Sequence, residues 1–399
     1  MNGKYDYFYC MISFENTEVA FRGKSNKDLK RAYWLFKLVG NRGFVKFGKW
    51  STQFALKAHL PVKGIIRKTI FKQFCGGESI QDSLKVSNEL TARNVKTILD
   101  YSIEGKTSEE DFDQTVRELI NTILEAKNND NIPFAVFKVT GICLFDTLVK
   151  ANDGIDKLSE EDLNLYQKLQ ERVDAICSQA YESDVPIFID AEESWIQGTI
   201  DDLVYQMSLK YNKEKAIVYN TVQMYRHDRL DFLKQEIDRA RKENYRCGLK
   251  IVRGAYMEKE RVRASENGYP SPIQPNKEAT DKDFNAALDF TIANLDVVSI
   301  CAGTHNEESS LYLVELLKKN KIDSNDTRVF FAQLLGMSDH ITFNLANSGL
   351  MVAKYVPYGP IKEVLPYLIR RAEENTSVAG QTSRELSLIT SEIKRRRLK

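Results

Sequence analysis

Eight apolar runs separated by helical stretches constrain this 399-residue chain more than any other feature. The runs are Val95–Ile103, Phe134–Ile142, Pro186–Glu192, Ala216–Tyr225, Gly248–Tyr256, Val297–His305, Arg328–Gly336 and Met351–Gly359. Between them, stretches such as Glu109–Lys127, Glu160–Glu182, Asp228–Asn244 and Asp283–Asn294 predict helices. Strands alternating with helices imply βαβ units and a parallel sheet, and eight of them point to a closed barrel. No GxGxxG follows the first run, which removes the main support for an open dinucleotide-binding sheet. The last helices, Ile361–Asn375 and Ser383–Arg397, complete the pattern. The expected fold is therefore α/β, a distorted (β/α)₈ TIM-like barrel over residues 91–399 with an N-terminal helical extension over 1–90. No internal repeat or low-complexity tract appears. The connection Asn267–Thr280, with three prolines, is expected as a long loop after the fifth strand.

Composition enters as a set of exclusions. At 42% hydrophobic and 28% charged the chain is ordinary globular material, and a net charge of +1 names no partner. Cys10, Cys75, Cys143, Cys177, Cys247 and Cys301 are scattered with no CxxC pair, which fits free thiols in a reducing compartment. No uncharged apolar run approaches the ~18 residues of a membrane span. Asp6, Glu15 and Glu18 argue against a mitochondrial transit peptide, no signal peptide is seen, and Met11 is an alternative start.

Residues 15–90 lack a β rhythm. From Leu29 to Gly77 there is no Asp or Glu, while Lys30, Arg31, Lys37, Arg42, Lys46, Lys49, Lys57, Lys63, Arg67, Lys68 and Lys72 alternate with Trp34, Phe36, Phe44, Phe47, Trp50 and Phe54. Two readings stand side by side. One is contact with an anionic membrane surface, where each well-placed cation adds ~1 kcal/mol. The other is a helical cap packing its aromatics on the main domain. Nucleic acid is not expected, since no nucleic-acid motif appears.

Active sites of such barrels lie at the C-terminal ends of the strands. That edge reads Glu104, Lys138, Asp190 with Glu192, Gln223, Arg253 with Tyr256, Thr304 with His305 and Asn306, Gln333, and Tyr355 with Tyr358. Packing needs none of these, although singly Lys138 can pair with an acid, Asp190 can cap a helix and His305 can be a satisfied core imidazole. The stretch Leu249–Met257 is the sharpest case: an apolar run breaks into Arg253, two bulk-free residues Gly254 and Ala255, and Tyr256. One His with scattered acids is no metal-ligand spacing, so no metal is expected. Lys138, Gln223, Lys250, Arg253, His305 and Gln333 suit an electron-rich heterocycle and phosphates. Tyr367, Arg370 and Arg371 share one helix face, and a guanidinium pair suits a substrate carboxylate unless Glu373 and Glu374 answer it.

At these residues the sequence resembles the proline dehydrogenase family. The matching pieces are Phe-Ala-Val-Phe-Lys at 134–138, Ile-Asp-Ala-Glu at 189–192, Asn-Thr-Val-Gln-Met-Tyr at 220–225 and Lys-Ile-Val-Arg-Gly-Ala-Tyr at 250–256. They continue with Gly-Thr-His-Asn at 303–306, Gln-Leu-Leu-Gly-Met at 333–337, Lys-Tyr-Val-Pro-Tyr-Gly at 354–359 and Leu-Pro-Tyr-Leu-Ile-Arg-Arg-Ala-Glu-Glu-Asn at 365–375. The resemblance is to the stand-alone form, with no room for an aldehyde dehydrogenase half. It implies non-covalent FAD, oxidation of L-proline to 1-pyrroline-5-carboxylate as the first step of proline catabolism, and electrons passed to a membrane quinone. It implies a cytoplasmic protein peripheral on the inner face of a bacterial membrane, or on the matrix side of the mitochondrial one. By resemblance, Arg370 and Arg371 pair with the proline carboxylate, and Lys138, Asp190, Tyr355, Tyr358 and Tyr367 line the substrate pocket. Ala191, Gln223, Lys250, Arg253, Gly254, Ala255, Thr304, His305 and Gln333 hold FAD, with Asp190, Lys250 and Lys138 as catalytic candidates. Glu104 falls where a family acid supports the pocket.

Two positions depart from the family pattern: Lys250 stands where some members have Arg, and Met257 where some bacterial members have Trp. Tyr355 is the bulky residue of proline-preferring members. The expected chemistry is hydride transfer from the ring carbon beside nitrogen, with protein groups orienting and tuning the cofactor. Lys138 would need a depressed pKa to take the amine proton. Two rivals are a Schiff-base lyase using Lys138 and a non-catalytic membrane- or nucleic-acid-binding module built on 29–77.

Overall fold

The computed structural model describes residues 12–40, 43, 63–103, 105–377 and 381–398. Eight strands pair in chain order and close into a barrel: β1 (Lys96–Tyr101), β2 (Phe134–Lys138), β3 (Ile187–Asp190), β4 (Val218–Gln223), β5 (Cys247–Val252), β6 (Val298–Gly303), β7 (Val329–Leu334) and β8 (Val352–Tyr358). The expected α/β barrel is the observed fold. Seven of the eight apolar runs contain a strand, and the fifth overlaps one that starts a residue earlier, at Cys247. The chain divides into two compact units, residues 105–332, and residues 1–104 with 333–399.

In the 105–332 unit the helices are α1 (Glu109–Lys127), α2 (Phe145–Asn152), α3 (Glu160–Ser183), α4 (Ser194–Tyr211), α5 (Arg229–Glu243), α6 (Met257–Asn267), α7 (Lys277–Ala293) and α8 (Glu307–Lys319). Serine caps start the two longest: the Ser108 and Ser159 side chains accept the N–H groups of Asp111 and Asp162. The interior is aromatic. Phe134 stacks on Phe188 at 4.4 Å and meets Tyr219 and Phe330 edge-on at 5.6 and 4.9 Å. Gly248 on β5 lies opposite Tyr219 in register, and a Cβ there would sit 2.6 Å from the Tyr219 ring. The strand carries glycine because the ring occupies its side-chain space.

Two boundaries are settled here. The fifth strand ends at Val252, so Arg253–Tyr256 is a turn leading into α6. Gly254 adopts φ +136°, and a Cβ on it would lie 2.5 Å from the Tyr225 ring, so the extended strand cannot continue. The long loop expected over 267–280 is also shorter. Asn276 caps α7 by accepting the Ala279 N–H at 2.8 Å, which starts that helix at Lys277.

In the other unit lie α9 (Asp339–Asn347), α10 (Ile361–Ser377) and α11 (Gln381–Arg395), besides the N-terminal helices Thr17–Phe21, Asn26–Val39 and Ile80–Thr91. In helix Asn26–Val39, Leu29, Ala32, Phe36 and Val39 are buried, joining a core with Phe21, Leu388 and Ile389. Trp34 is 59% exposed, with the Lys37 ammonium 5.0 Å from its ring. So Phe36 packs inward as a cap would, while Trp34 does not. Arg42, Phe44, Lys46, Phe47, Lys49, Trp50, Phe54 and Lys57 lie outside the described residues, as do Cys10, Met11 and Glu104. The five described cysteines are free and buried. Among described residues there is no cluster that could hold a metal ion, and no helix is long and apolar enough to cross a membrane.

Candidate active site

Barrel geometry places the chemistry-bearing residues at strand ends. Lys138, Asp190 and Gln223 are the last residues of β2, β3 and β4. Arg253 and Thr304 follow β5 and β6 directly, and Tyr358 closes β8. Gln333 is the penultimate residue of β7.

Within the 105–332 unit, Lys250 and Asp190 form an ion pair, their side chains 6% and 16% exposed. Sequence places these residues 60 positions apart. Lys250 shares the inward face of β5 with Gly248, and its ammonium lies 5.4 Å from the Phe188 ring centroid. Lys138 lies opposite Asp190 in register. Beside it Glu192 is buried, its carboxylate accepting the Thr140 N–H at 3.0 Å and hydroxyl at 2.6 Å. Burial raises the Glu192 pKa to about 7, while the Lys138 charge and the Thr140 bonds restrain the rise.

Gln223 bridges two turns. It donates to the Glu192 carbonyl at 2.8 Å and accepts the Ala255 N–H at 3.3 Å. Arg253 donates to Asp281 at 2.7 Å, Thr304 at 2.5 Å and Ser309 at 2.9 Å, and its guanidinium stacks 4.4 Å from the Phe284 ring. Burial pulls the Arg253 pKa below the ordinary range more than Asp281 restores it, yet a guanidinium stays charged at neutral pH. Thr304 also accepts the Asn306 N–H at 3.1 Å, at the cap of α8. A fixed cation thus stands by a helix N-terminus, where anions are favoured. His305 is half-buried, Ala191 buried, and Gly254 and Ala255 exposed.

Sequence inspection missed the groups that brace these turns. Glu260, wholly buried on α6, accepts both the N–H and the hydroxyl of Ser194 at 2.6 Å. Helix α4 has no side-chain cap of its own, and Glu260 supplies one from 66 residues away. Lys259 pairs with Glu193 at 2.7 Å, and Arg263 stacks on Trp195 at 4.5 Å. Nothing local marks Glu260 among the charged residues of α6. Asp281, four residues after its partner Lys277, was open to notice.

The other unit holds a set of its own. Tyr355, Tyr358 and Tyr367 are buried at 7%, 0% and 6% exposure. Arg371 is 8% exposed, its guanidinium 5.1 Å from the Tyr367 ring, and Arg370 is half-buried. Of the face expected for Tyr367, Arg370 and Arg371, the structure shows the Tyr367–Arg371 contact. The Glu373 and Glu374 side chains lie outside the described residues. Tyr358 packs against Tyr101 at 5.2 Å, and Gln333 is buried, accepting the Thr342 hydroxyl at 2.8 Å.

A closed (β/α)₈ barrel with polar and charged residues at its C-terminal strand ends is an architecture on which many active sites are built. Comparison with known proteins shows the family. The family model described as proline dehydrogenase matches residues 83–384. The chain is 35% identical over 379 residues to mitochondrial proline dehydrogenase 1 of Dictyostelium discoideum, covering 84% of this chain and 66% of that one. It is 32% identical over 324 residues to the carbapenem antibiotics biosynthesis protein CarD of Pectobacterium carotovorum subsp. carotovorum, covering 81% and 83%. Against human mitochondrial proline dehydrogenase 1 it is 40% identical over 240 residues, 59% of this chain and 40% of that one. Among solved structures, proline utilization A from Bdellovibrio bacteriovorus, inactivated by N-propargylglycine, superposes with a TM-score of 0.71 at 19% identity. That match covers 90% of this chain and 38% of that one, and it establishes the fold. This chain belongs to the proline dehydrogenase family.

Proposed function

We propose that this protein oxidises L-proline to 1-pyrroline-5-carboxylate with FAD and passes the electrons to a membrane quinone, opening proline catabolism. Catalysis is assigned to residues 91–399, with 1–90 as a helical extension. The protein would work at the inner face of a bacterial membrane or the matrix side of a mitochondrial one. The observation that carries this reading is the Lys250–Asp190 pair. Two ions in a barrel interior cost more than an apolar pair of equal volume, so their presence at the strand ends argues for chemistry there.

The residues present fit FAD. Arg253, Thr304 and the cap of α8 suit its phosphates, and the exposed Gly254–Ala255 turn offers backbone without side-chain bulk. Gln223, Lys250, His305 and Gln333 would supply donors, and Ala191 completes the assigned set. When bound, FAD would supply the hydride acceptor for the ring carbon next to the proline nitrogen. The protein's part is orientation and charge. Arg370 and Arg371 hold the carboxylate, and Tyr355, Tyr358 and Tyr367 shape the space for a small ring, with Tyr355 disfavouring a ring hydroxyl. Lys250 places positive charge where negative charge develops, and Asp190 fixes the position of its ammonium. Lys138 and Asp190 complete the polar wall.

A visible spectrum of the purified protein tests this directly. A yellow chromophore bleached by L-proline, with pyrroline-carboxylate trapped by an aromatic amine, is the expected result. A colourless protein that borohydride traps on its substrate through Lys138 would replace it with a lyase.

A further inference from the structure

Lys354 sits in the middle of β8 with no exposed surface, a place where a barrel strand ordinarily carries Val, Ile or Leu. Its neighbour two residues on, Val356, meets Gly76, so this face of the strand looks toward the surrounding helices. The ammonium pairs with Asp339 at 3.0 Å and donates to the Leu334 carbonyl at 3.2 Å and to the Met337 carbonyl. The second Asp339 oxygen takes Lys24 at 2.8 Å.

The turn that presents those carbonyls joins β7 to α9, and more bonds converge on it. The Leu335 N–H donates to the Tyr355 carbonyl at 2.8 Å. The Gln73 side-chain amide donates to the Gly336 carbonyl at 2.9 Å. The Ser338 N–H donates to the buried Glu385 carboxylate. Gly336 has φ +78°, and a Cβ there would collide with the Gln73 carbonyl. An apolar residue at 354 would pack strand against helix equally well. What an ammonium adds is a simultaneous grip on two carbonyls of one turn and on the carboxylate that starts the next helix. Gln333 flanks this turn and Tyr355 flanks Lys354, and both are assigned to ligand above.

We propose that Lys354 is a positioning residue: anchored by Asp339 and Lys24, it sets the Leu334–Ser338 turn so that Gln333 and Tyr355 present correctly to the bound flavin and substrate. The N-terminal segment around Lys24 then belongs to the cofactor-binding machinery and is no mere appendage. The functional half of this claim rests on the flavin reading; the claim that Lys354 sets the turn does not.

Hydrogen exchange read by mass spectrometry, paired with an FAD titration of the full chain followed by flavin fluorescence, tests both halves. Lys354→Met keeps length and fills the space. It should keep Tm within about 5 °C while the 335–338 amides exchange about tenfold faster or more and those of helix α11 do not change. The Kd for FAD should rise about tenfold or more, a loss of about 1.4 kcal/mol. Lys354→Arg should recover part of both effects, and Lys24→Met should show both at smaller amplitude. Unchanged exchange at 335–338 overturns the proposal. So does faster exchange spread evenly over every strand, or a local change with wild-type FAD affinity. If Lys354→Met does not fold, Lys24→Met and Asp339→Asn decide by the same pattern. If the wild-type chain binds no FAD, the flavin reading falls, and the exchange pattern alone decides whether Lys354 sets the turn.

Discussion

Two buried lysine–aspartate pairs invite comparison, one in each unit. Lys250–Asp190 stands on the inward face at the strand ends, and Asp190 keeps 16% of its side chain open. Lys354–Asp339 is sealed between strand and helix, with Lys354 at 0% and Asp339 at 9%. Burial alone would raise the Asp339 pKa, but Lys24 and Lys354 beside it hold it well below the ordinary carboxylate range. Burial pulls Lys354 down from the usual lysine range, and Asp339 offsets only part of that. The same two residue types thus serve different ends. An ion pair left partly open can exchange partners with a ligand; one closed on all sides can only hold chain in place.

The largest expected effect comes from breaking the open pair. Lys250→Met or Asp190→Asn should lower proline oxidation by about 10²-fold or more, the scale of losing one preorganised electrostatic group. Lys250→Met should also lower the flavin potential measured by dye equilibration. An unchanged potential would remove Lys250 from the flavin's surroundings and collapse the contrast between the pairs.

Next is Arg371, buried against Tyr367. Arg371→Met should raise KM for proline about 10- to 100-fold, as loss of a charge-assisted bidentate contact does, with a smaller change in kcat. A variant with normal KM would show that this guanidinium serves packing alone.

Glu192 sharpens the comparison through pH. Its folded pKa of about 7 lies above the ordinary carboxyl value of 4.5. The folded state therefore holds a proton that the unfolded chain has released, and stability is fully present below about pH 4.5 and falls as pH rises toward 7. Glu192→Gln should flatten that slope, recovering up to about 3 kcal/mol at pH 8. Urea melts at pH 5 and pH 8 would show it; parallel pH slopes in both proteins would mean that bound or neighbouring charge already neutralises the site.

The smallest effect is steric. Gly248→Ala should cost about 1–3 kcal/mol through the collision with Tyr219, and Gly248→Ala with Tyr219→Leu should recover part of it in the same melts. Full additivity would mean that the ring and the glycine do not meet.

Much of this was legible beforehand. Apolar runs between helical stretches marked all eight strands, and the polar residues toward their ends put Lys138, Asp190, Gln223 and Gln333 on the right edge, because burial leaves a local imprint on composition. The end of β5 stayed open for the same reason: Arg-Gly-Ala-Tyr after an apolar run reads equally as a strand end or as an exposed turn until the Tyr225 ring claims the space at Gly254. Asn276 was likewise an ordinary loop residue until its side chain capped α7.

By itself, then, the order of residues determined the alternation of strand and helix, the family, and which polar groups stand at strand termini. These follow from side-chain period and from short motifs, both properties of neighbours along the chain. The pairing of Lys250 with Asp190, the cap that Glu260 lends to Ser194, the threefold hold on Arg253 and the closure around Lys354 were decided only by tertiary structure. Barrel closure brings residues dozens of positions apart within hydrogen-bond reach, and no local pattern encodes which of several charged side chains will meet there.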